Sequence, residues 1–278
     1  MRPLFAFALL VLCAYVAEAA PAKRIVSLAP NITELLYTAG AGEQIIAAVE
    51  FSDYPAAAKK LPRIGDAFRI DYERVVALEP DLIIAWQDGT PPTMIEELKR
   101  LHQPVRALRI AGLDNVATAL RELGAWAGTT TVAERAAGKY LARLATLRGR
   151  HQSPGRLRVF FEISQTPLYT VNDQHPISEI IRLCGGANVF ADLNQLAPAV
   201  GIESVLARDP DVILVADDEP GALVYWQRWQ QLTAVRERNL YAVSSDRISR
   251  TTVRILEAAQ QVCDQLDDAR RRRMSHAP

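Results

Sequence analysis

Residues 71–86 and 201–216 carry one pattern of apolar and polar positions twice. In each, a short segment with apolar residues at helical spacing meets a proline-aspartate pair and then an unbroken apolar run. Glu73, Val75, Ala77, Pro80, Asp81 and Ile83 recur as Glu203, Val205, Ala207, Pro210, Asp211 and Ile213, 130 residues on. Proline cannot continue a helix and biases the residue before it away from the right-handed helical region, so Glu79-Pro80 and Asp209-Pro210 are stops. The runs Leu82–Trp86 and Val212–Ala216 are short and rich in β-branched residues, the pattern of parallel strands buried on both faces. A period this long with two copies predicts two similar lobes and excludes a solenoid.

The same reading extends along the chain. The first lobe opens with a strand at 23–28, a helix at 30–40 closed by Gly40, and a strand at 45–49; the second answers with a strand at 157–163 and a helix at 177–186. Thr33-Glu-Leu-Leu and Ser178-Glu-Ile-Ile take the same place in their helices. Between the lobes, Val116, Leu120 and Leu123, then Val132, Ala136, Tyr140, Leu144 and Leu147, mark two helices at 113–126 and 131–150. At ~1.5 Å per residue the second is long enough to join the lobes, and a helical joint is stiff. After a turn at 151–156 and the second repeat come a polar loop at 217–221, a tryptophan-rich helix at 224–232, a strand at 239–244 and a final helix at 251–273. The expected fold class is α/β: two similar lobes with parallel-type central sheets flanked by helices, a long interlobe helix, and a ligand cleft between the lobes. The expected division is 1–19 as signal peptide, 20–112 as first lobe, 113–152 as connection and 153–278 as second lobe.

Composition narrows the class. Lys and Arg number 32, as do Asp and Glu, which removes the basic footprint of a nucleic-acid binder. Arg2, an apolar run from Leu4 to Val16 and Ala17-Glu-Ala19 form a secretory signal peptide with cleavage expected before Ala20. Cys13 follows Leu12, which is not the small residue a lipoprotein site needs. Cys184 and Cys263 remain in the exported chain, either as two buried thiols or as a bridge closing a loop of about 80 residues, worth on the order of 4 kcal/mol.

Catalytic signatures are missing: no nucleophile elbow, no zinc-protease motif and no glycine-rich phosphate loop follows a strand. Of four histidines, His102, His151 and His175 sit in polar, turn-like settings and His276 in the tail, without metal-ligand spacing. No enzyme and no resident cofactor are expected. Ligands of open parallel sheets bind beyond the C-terminal strand ends. The candidates there are Phe51, Asp53 and Tyr54; Phe68; Trp86 and Gln87 before Gly89; and Asp246, Arg247, Ile248, Ser249 and Arg250 after the last strand. Trp86 is either core or a flat cleft wall, and its counterpart is Ala216. Asp246 and Arg250 either pair with each other at the surface or present polar contacts to a ligand. Glu73 and Glu203 suit the first turn of a helix through the macrodipole; as equivalent acids on two lobes they also suit a two-fold partner carrying basic pockets.

These motifs resemble the periplasmic cobalamin-binding proteins of bacterial import systems. The likeness rests on Phe51-Ser-Asp-Tyr-Pro55, Leu61-Pro-Arg-Ile-Gly-Asp66, residues 73–86 and 203–211, Ser245-Asp246 with Arg250, and Ala258-Ala-Gln-Gln-Val-Cys263. It implies a monomeric carrier that brings cobalamin or a related corrinoid to an ABC transporter permease dimer. It also implies an aromatic ring at Phe51, a second wall at Trp86, polar contacts from Asp246 to Arg250, docking glutamates at Glu73 and Glu203, and a Cys184–Cys263 disulfide. Haem and ferric-siderophore carriers share the fold and form the alternative, with Arg63, Arg69, Arg247 and Arg250 as candidate cations. The chain departs from the family pattern at Ala67 and Ala197, where tryptophan is common.

Overall fold

The computed structural model describes residues 20–150, 156–218 and 221–275. The signal segment at 1–19, the turn at 151–155 with His151, residues 219–220 of the polar loop and the tail from 276 lie outside the described residues. The first lobe holds β1 (Ile25–Ser27), α1 (Pro30–Thr38), β2 (Ile45–Ala48), α2 (Tyr72–Ala77), β3 (Leu82–Trp86), α3 (Pro92–Arg100) and β4 (Val105–Leu108). Then α4 (Asn115–Ala127) and α5 (Thr130–Arg150) lead to the second lobe. That lobe begins with β5 (Leu157–Glu162), the hairpin strands β6 (Ser164–Gln165) and β7 (Leu168–Tyr169), α6 (Pro176–Leu183), β8 (Gly186–Asn188), α7 (Ile202–Arg208) and β9 (Val212–Ala216). It closes with α8 (Ala222–Gln227), α9 (Thr233–Arg236), β10 (Leu240–Val243), α10 (Ser245–Ile248) and α11 (Ile255–Ser275).

Both main sheets are parallel, in the orders β2-β1-β3-β4 and β8-β5-β9-β10, so the second repeats the first. Ser27 pairs with Ile84, and Phe161 pairs with Leu214, the residue 130 positions after Ile84. Successive strand residues point to opposite faces. Ile25, Leu82 and Ile84 accordingly enter a core that continues through α4, α5 and α11 into the other lobe. Val26, Ile83 and Ala85 enter a separate outer cluster, as Phe160, Ile213 and Val215 do in lobe two. Burial on both faces is why these strands read as unbroken apolar runs.

The proline-aspartate pair does more than stop a helix. Asp81 accepts the backbone N–H groups of Lys23 and Arg24 at 2.8 and 2.9 Å, and Asp211 accepts that of Arg158 at 2.8 Å. In return the Arg24 guanidinium donates to the carbonyls of Leu78 and Glu79, and the Arg158 guanidinium to those of Arg208 and Asp209. Glu79 and Asp209 have φ of 43° and 35°, the left-handed region, which brings those carbonyls within reach. Each copy thus fastens a helix end to the first strand of its lobe and satisfies carbonyls that the helix leaves open.

Three elements differ from their expected bounds by three residues or more. The tryptophan-rich helix ends at Gln227, because Leu232 turns into the core and Asp209 takes the N–H and hydroxyl of Thr233 at 2.7 and 2.8 Å. The final helix starts at Ile255, since residues 251–254 form a turn that carries Thr252 and Arg254 to the first lobe. The helix before Gly186 ends at Leu183, after which Gly185, at φ 73°, turns the chain into β8. Cys184 is disulfide-bonded to Cys263, which ties the end of α6 to α11 across 79 residues of sequence.

In the connection, a Cβ on Gly124 would stand 2.3 Å from that of Ala133, so glycine lets α4 and α5 approach closely. The Tyr140 hydroxyl donates to the Leu113 carbonyl at 2.8 Å, and Arg148 pairs with Asp114.

Candidate ligand-binding cleft

The cleft opens at the C-terminal strand ends, with Trp86 between two adjoining cavities of about 430 and 470 Å³. Leu28, Pro30, Phe68, Trp86, Thr90 and Arg250 line the first, toward lobe one. The second is lined by Trp86, Arg109, His175, Asn194, Leu196 and Ser249, drawn from both lobes. The indole is fixed by its loop: the Trp86 backbone N–H donates to Thr90 Oγ1 at 3.1 Å, and the Thr90 N–H donates back to the Trp86 carbonyl at 2.8 Å. A Cβ on Gly89 would lie 2.1 Å from the ring, so only glycine fits beneath it. Phe68 stands 76% exposed at the cavity mouth and Phe51 74% exposed after β2, held at φ 62°, an uncommon backbone state for a bulky residue. Ala67 lines the lobe-one cavity where a larger side chain would reduce it.

A chain of charges crosses from lobe to lobe behind this wall. Glu34 of α1 is fully buried and accepts from Thr252 Oγ1 at 2.6 Å, Arg254 Nε at 2.9 Å and Arg254 Nη2 at 2.6 Å. Arg254 continues to Asp246 at 2.5 Å and lies 3.8 Å over the Tyr54 ring. Arg250 joins Asp246, at 3.1 Å, to Asp53 of the first lobe, at 2.8 Å. Burial by itself would lower the Arg254 guanidinium, but its hydrogen bonds to Glu34 and Asp246 hold it raised. Asp53 is likewise opposed by burial, yet the bond from Arg250 keeps its carboxyl below the usual range. Asp246 and Arg250 do pair with each other, and they also belong to an interlobe network.

Trp86, Phe68, Ser249 and Arg250 line the cavities, and Asp53, Tyr54 and Asp246 attach to them through Arg250 and Arg254. Ile248 forms part of the wall but packs into the core. Gln87 is exposed, its backbone N–H given to Leu108, and Arg247 pairs with Glu257 at 3.4 Å; neither lines a cavity, nor does Phe51. Glu73 and Glu203 stand exposed in the first turns of α2 and α7. Among the described residues no three His, Cys, Asp or Glu side chains are placed to hold a metal, and no helix is long and apolar enough to cross a membrane.

Sequence reasoning missed three residues. Glu34 had a signal, since a lone acid inside Asn31-Ile-Thr-Glu-Leu-Leu36 is buried unless the helix is exposed there. Arg254 had none, because its partner is 220 residues away. His175 precedes a proline at the first helical position and caps α6: its Nδ1 accepts the Ile177 N–H at 3.1 Å.

Two parallel-sheet lobes, a helical joint and a cleft walled from both sides define a two-lobed binding protein. The chain belongs to the periplasmic binding protein family, whose model matches residues 25–246. It is similar to the vitamin B12-binding protein of Vibrio cholerae serotype O1, at 37% identity over 252 residues covering 90% of this chain and 91% of that one. The crystal structure of periplasmic vitamin B12 binding protein BtuF of Vibrio cholerae matches with a TM-score of 0.84, covering 90% of this chain and 98% of that chain at 37% identity. Periplasmic heme binding protein HutB of the same organism matches with a TM-score of 0.75 at 20% identity, covering 87% of this chain and 98% of that chain, a likeness of fold.

Proposed function

We propose that this chain captures a corrinoid of the vitamin B12 class between its lobes in the periplasm and delivers it to the permease pair of an ABC importer. The observation that carries this reading is the Trp86 wall. A flat indole on a glycine seat stands between two cavities that together suit a broad, flat ligand, in a chain 37% identical to a vitamin B12-binding protein. Binding without chemistry is in keeping with relatives named as binding proteins. Phe68 adds an exposed ring at the mouth, Phe51 is a second exposed ring in the loop after β2, and the network through Asp246 and Arg250 offers polar contacts at the rim. Export through the segment at 1–19 and action as a monomer complete the reading, with residues 20–112 and 153–278 as the lobes and 113–152 as the joint.

Calorimetry with cyanocobalamin is the test, with saturable binding expected at micromolar protein; no heat and no spectral change at that concentration would overturn the assignment. Haem or ferric siderophore is the alternative cargo, and absorbance titrations with each would separate the three. Glu73 and Glu203 are the proposed docking acids, equivalent by the 130-residue repeat and exposed on both lobes. Glu73→Ala with Glu203→Ala is expected to weaken permease binding and leave ligand affinity intact; equal loss of both would argue against docking.

A further inference from the structure

Most arginines near the cleft already have partners, the exception being the exposed Arg69 beside Phe68. Arg63 gives its guanidinium to the carbonyls of Val49, Ser52 and Ala58. Arg250 is held by Asp53 and Asp246, Arg254 by Glu34 and Asp246, and Arg247 by Glu257. In the cavity that both lobes share, Arg109 faces Asp88 at 3.8 Å. The remaining ionisable group of that wall is His175, and its chemistry is fixed by the helix it caps. Because Nδ1 accepts the Ile177 N–H, the proton of the neutral ring sits on Nε2. Burial lowers its pKa to about 4, so the ring stays uncharged at neutral pH. The acids near it on its own segment point elsewhere: Asp173 pairs with Arg182, and Glu179 accepts the Leu113 N–H and pairs with Arg148. Gln174, Asn194 and Thr251 line the same cavity with uncharged polar groups. The Trp86 indole N–H, buried in the wall, also has no acceptor.

From this arrangement we infer that the shared cavity is a neutral hydrogen-bonding subsite, in which His175 donates its Nε2–H to an uncharged carbonyl oxygen of the ligand. It therefore selects amide-bearing over carboxylate-bearing macrocycles. The inference rests on the corrinoid reading and sharpens it. A carboxylate entering the cavity loses its hydration, meets Asp88, and finds the Arg109 guanidinium of the same wall shared with that acid. One neutral donor does not offset that loss. An amide carbonyl carries no charge to desolvate and matches the donor directly. A tautomer with Nε2 free to bind a metal would put a proton on Nδ1 against the Ile177 N–H, so His175 does not ligate a metal held by the cargo.

The test titrates the mature protein with cyanocobalamin and with its isomeric monocarboxylic acids, each having one peripheral amide hydrolysed. At pH 7 at least one isomer is expected to bind about tenfold or more weakly than the parent. His175→Asn keeps an oxygen to cap α6 and removes the donor at Nε2, so it should fold and bind cyanocobalamin about fivefold more weakly. Asp88→Asn releases Arg109 and should narrow the penalty on the disfavoured isomer. If every isomer binds like the parent, the neutral subsite is refuted. An unchanged affinity in a folded His175→Asn refutes the donor. Wild-type protein that ignores cyanocobalamin refutes the corrinoid reading and this inference together, whereas binding of parent and isomers alike refutes the inference alone.

Discussion

At the end of β3 stands Trp86, and at the same place in β9 stands the buried Ala216. The duplicated acids diverge in a related way. Glu34 on α1 is sealed beneath Arg254 and Thr252 of the other lobe, while Glu179 on α6 is partly exposed and holds the Leu113 N–H and Arg148 of the helical connection. Between β1 and α1 lie two residues; between β5 and α6 lie the hairpin β6–β7 and a loop that carries His175 to the cleft. The frame of each lobe, a proline-aspartate junction clamped to the first strand, is shared. The divergence that bears on the ligand lies at the cleft, where lobe one gives aromatic surface and lobe two gives hydrogen-bonding groups.

The largest test of that asymmetry removes the deeper of the two acid contacts. Arg254→Ala leaves the Glu34 carboxylate buried with Thr252 as its remaining partner, and breaking one side of a buried pair costs about 3–5 kcal/mol. Urea unfolding at pH 7 should show that loss. Glu34→Leu combined with Arg254→Met should recover most of it, because no charge is then left buried. A loss below about 1 kcal/mol in Arg254→Ala would mean that the core through α4, α5 and α11 fixes the lobes and the ion network does not.

His175 gives a pH-dependent test specific to lobe two. Its folded pKa is near 4 against an ordinary 6.5, so the folded state resists a proton that the unfolded chain accepts. Above pH 6.5 the stabilisation is fully present. As pH falls toward 4 it is lost, by about 3 kcal/mol at the lower end. Asp53, whose carboxyl is also depressed, loses its share in a lower window, below the usual carboxylate range. Unfolding midpoints between pH 7 and 4.5 should therefore fall in the wild type and flatten in His175→Asn; parallel curves would show that His175 titrates normally.

What could be read in advance follows from range. The repeat exposed both sheets, because buried parallel strands leave local apolar runs, and Pro80 and Pro210 mark their entrances. Trp86 stood out because the repeat supplied Ala216 as its contrast, which left core and cleft wall as its two readings. The network from Glu34 to Asp53 was not. Its members lie in the two lobes, and local spacing showed the Asp246–Arg250 pair alone. His175 looked like a turn residue because a cap and a turn use similar residue types; the proline after it was the distinguishing sign.

The smallest effect is expected at Glu179, and it measures how far the duplicated acids have parted. Glu179→Gln retains a carbonyl oxygen able to accept the Leu113 N–H, now at 2.8 Å, and gives up the ionic part of the Arg148 contact. Arg148 keeps Asp114 at 2.8 Å, so no cation is stranded. The site is partly exposed and solvent screens the lost pair, which puts the cost at about 1 kcal/mol or less. Glu34→Gln meets a harder condition, since its carboxylate is fully buried against Arg254, whose remaining acid, Asp246, is half exposed. The two isosteric changes, compared in the same urea series, should differ by about 2 kcal/mol. Equal losses would mean that both acids serve the lobe contact alike and that the asymmetry of the lobes does not extend to them.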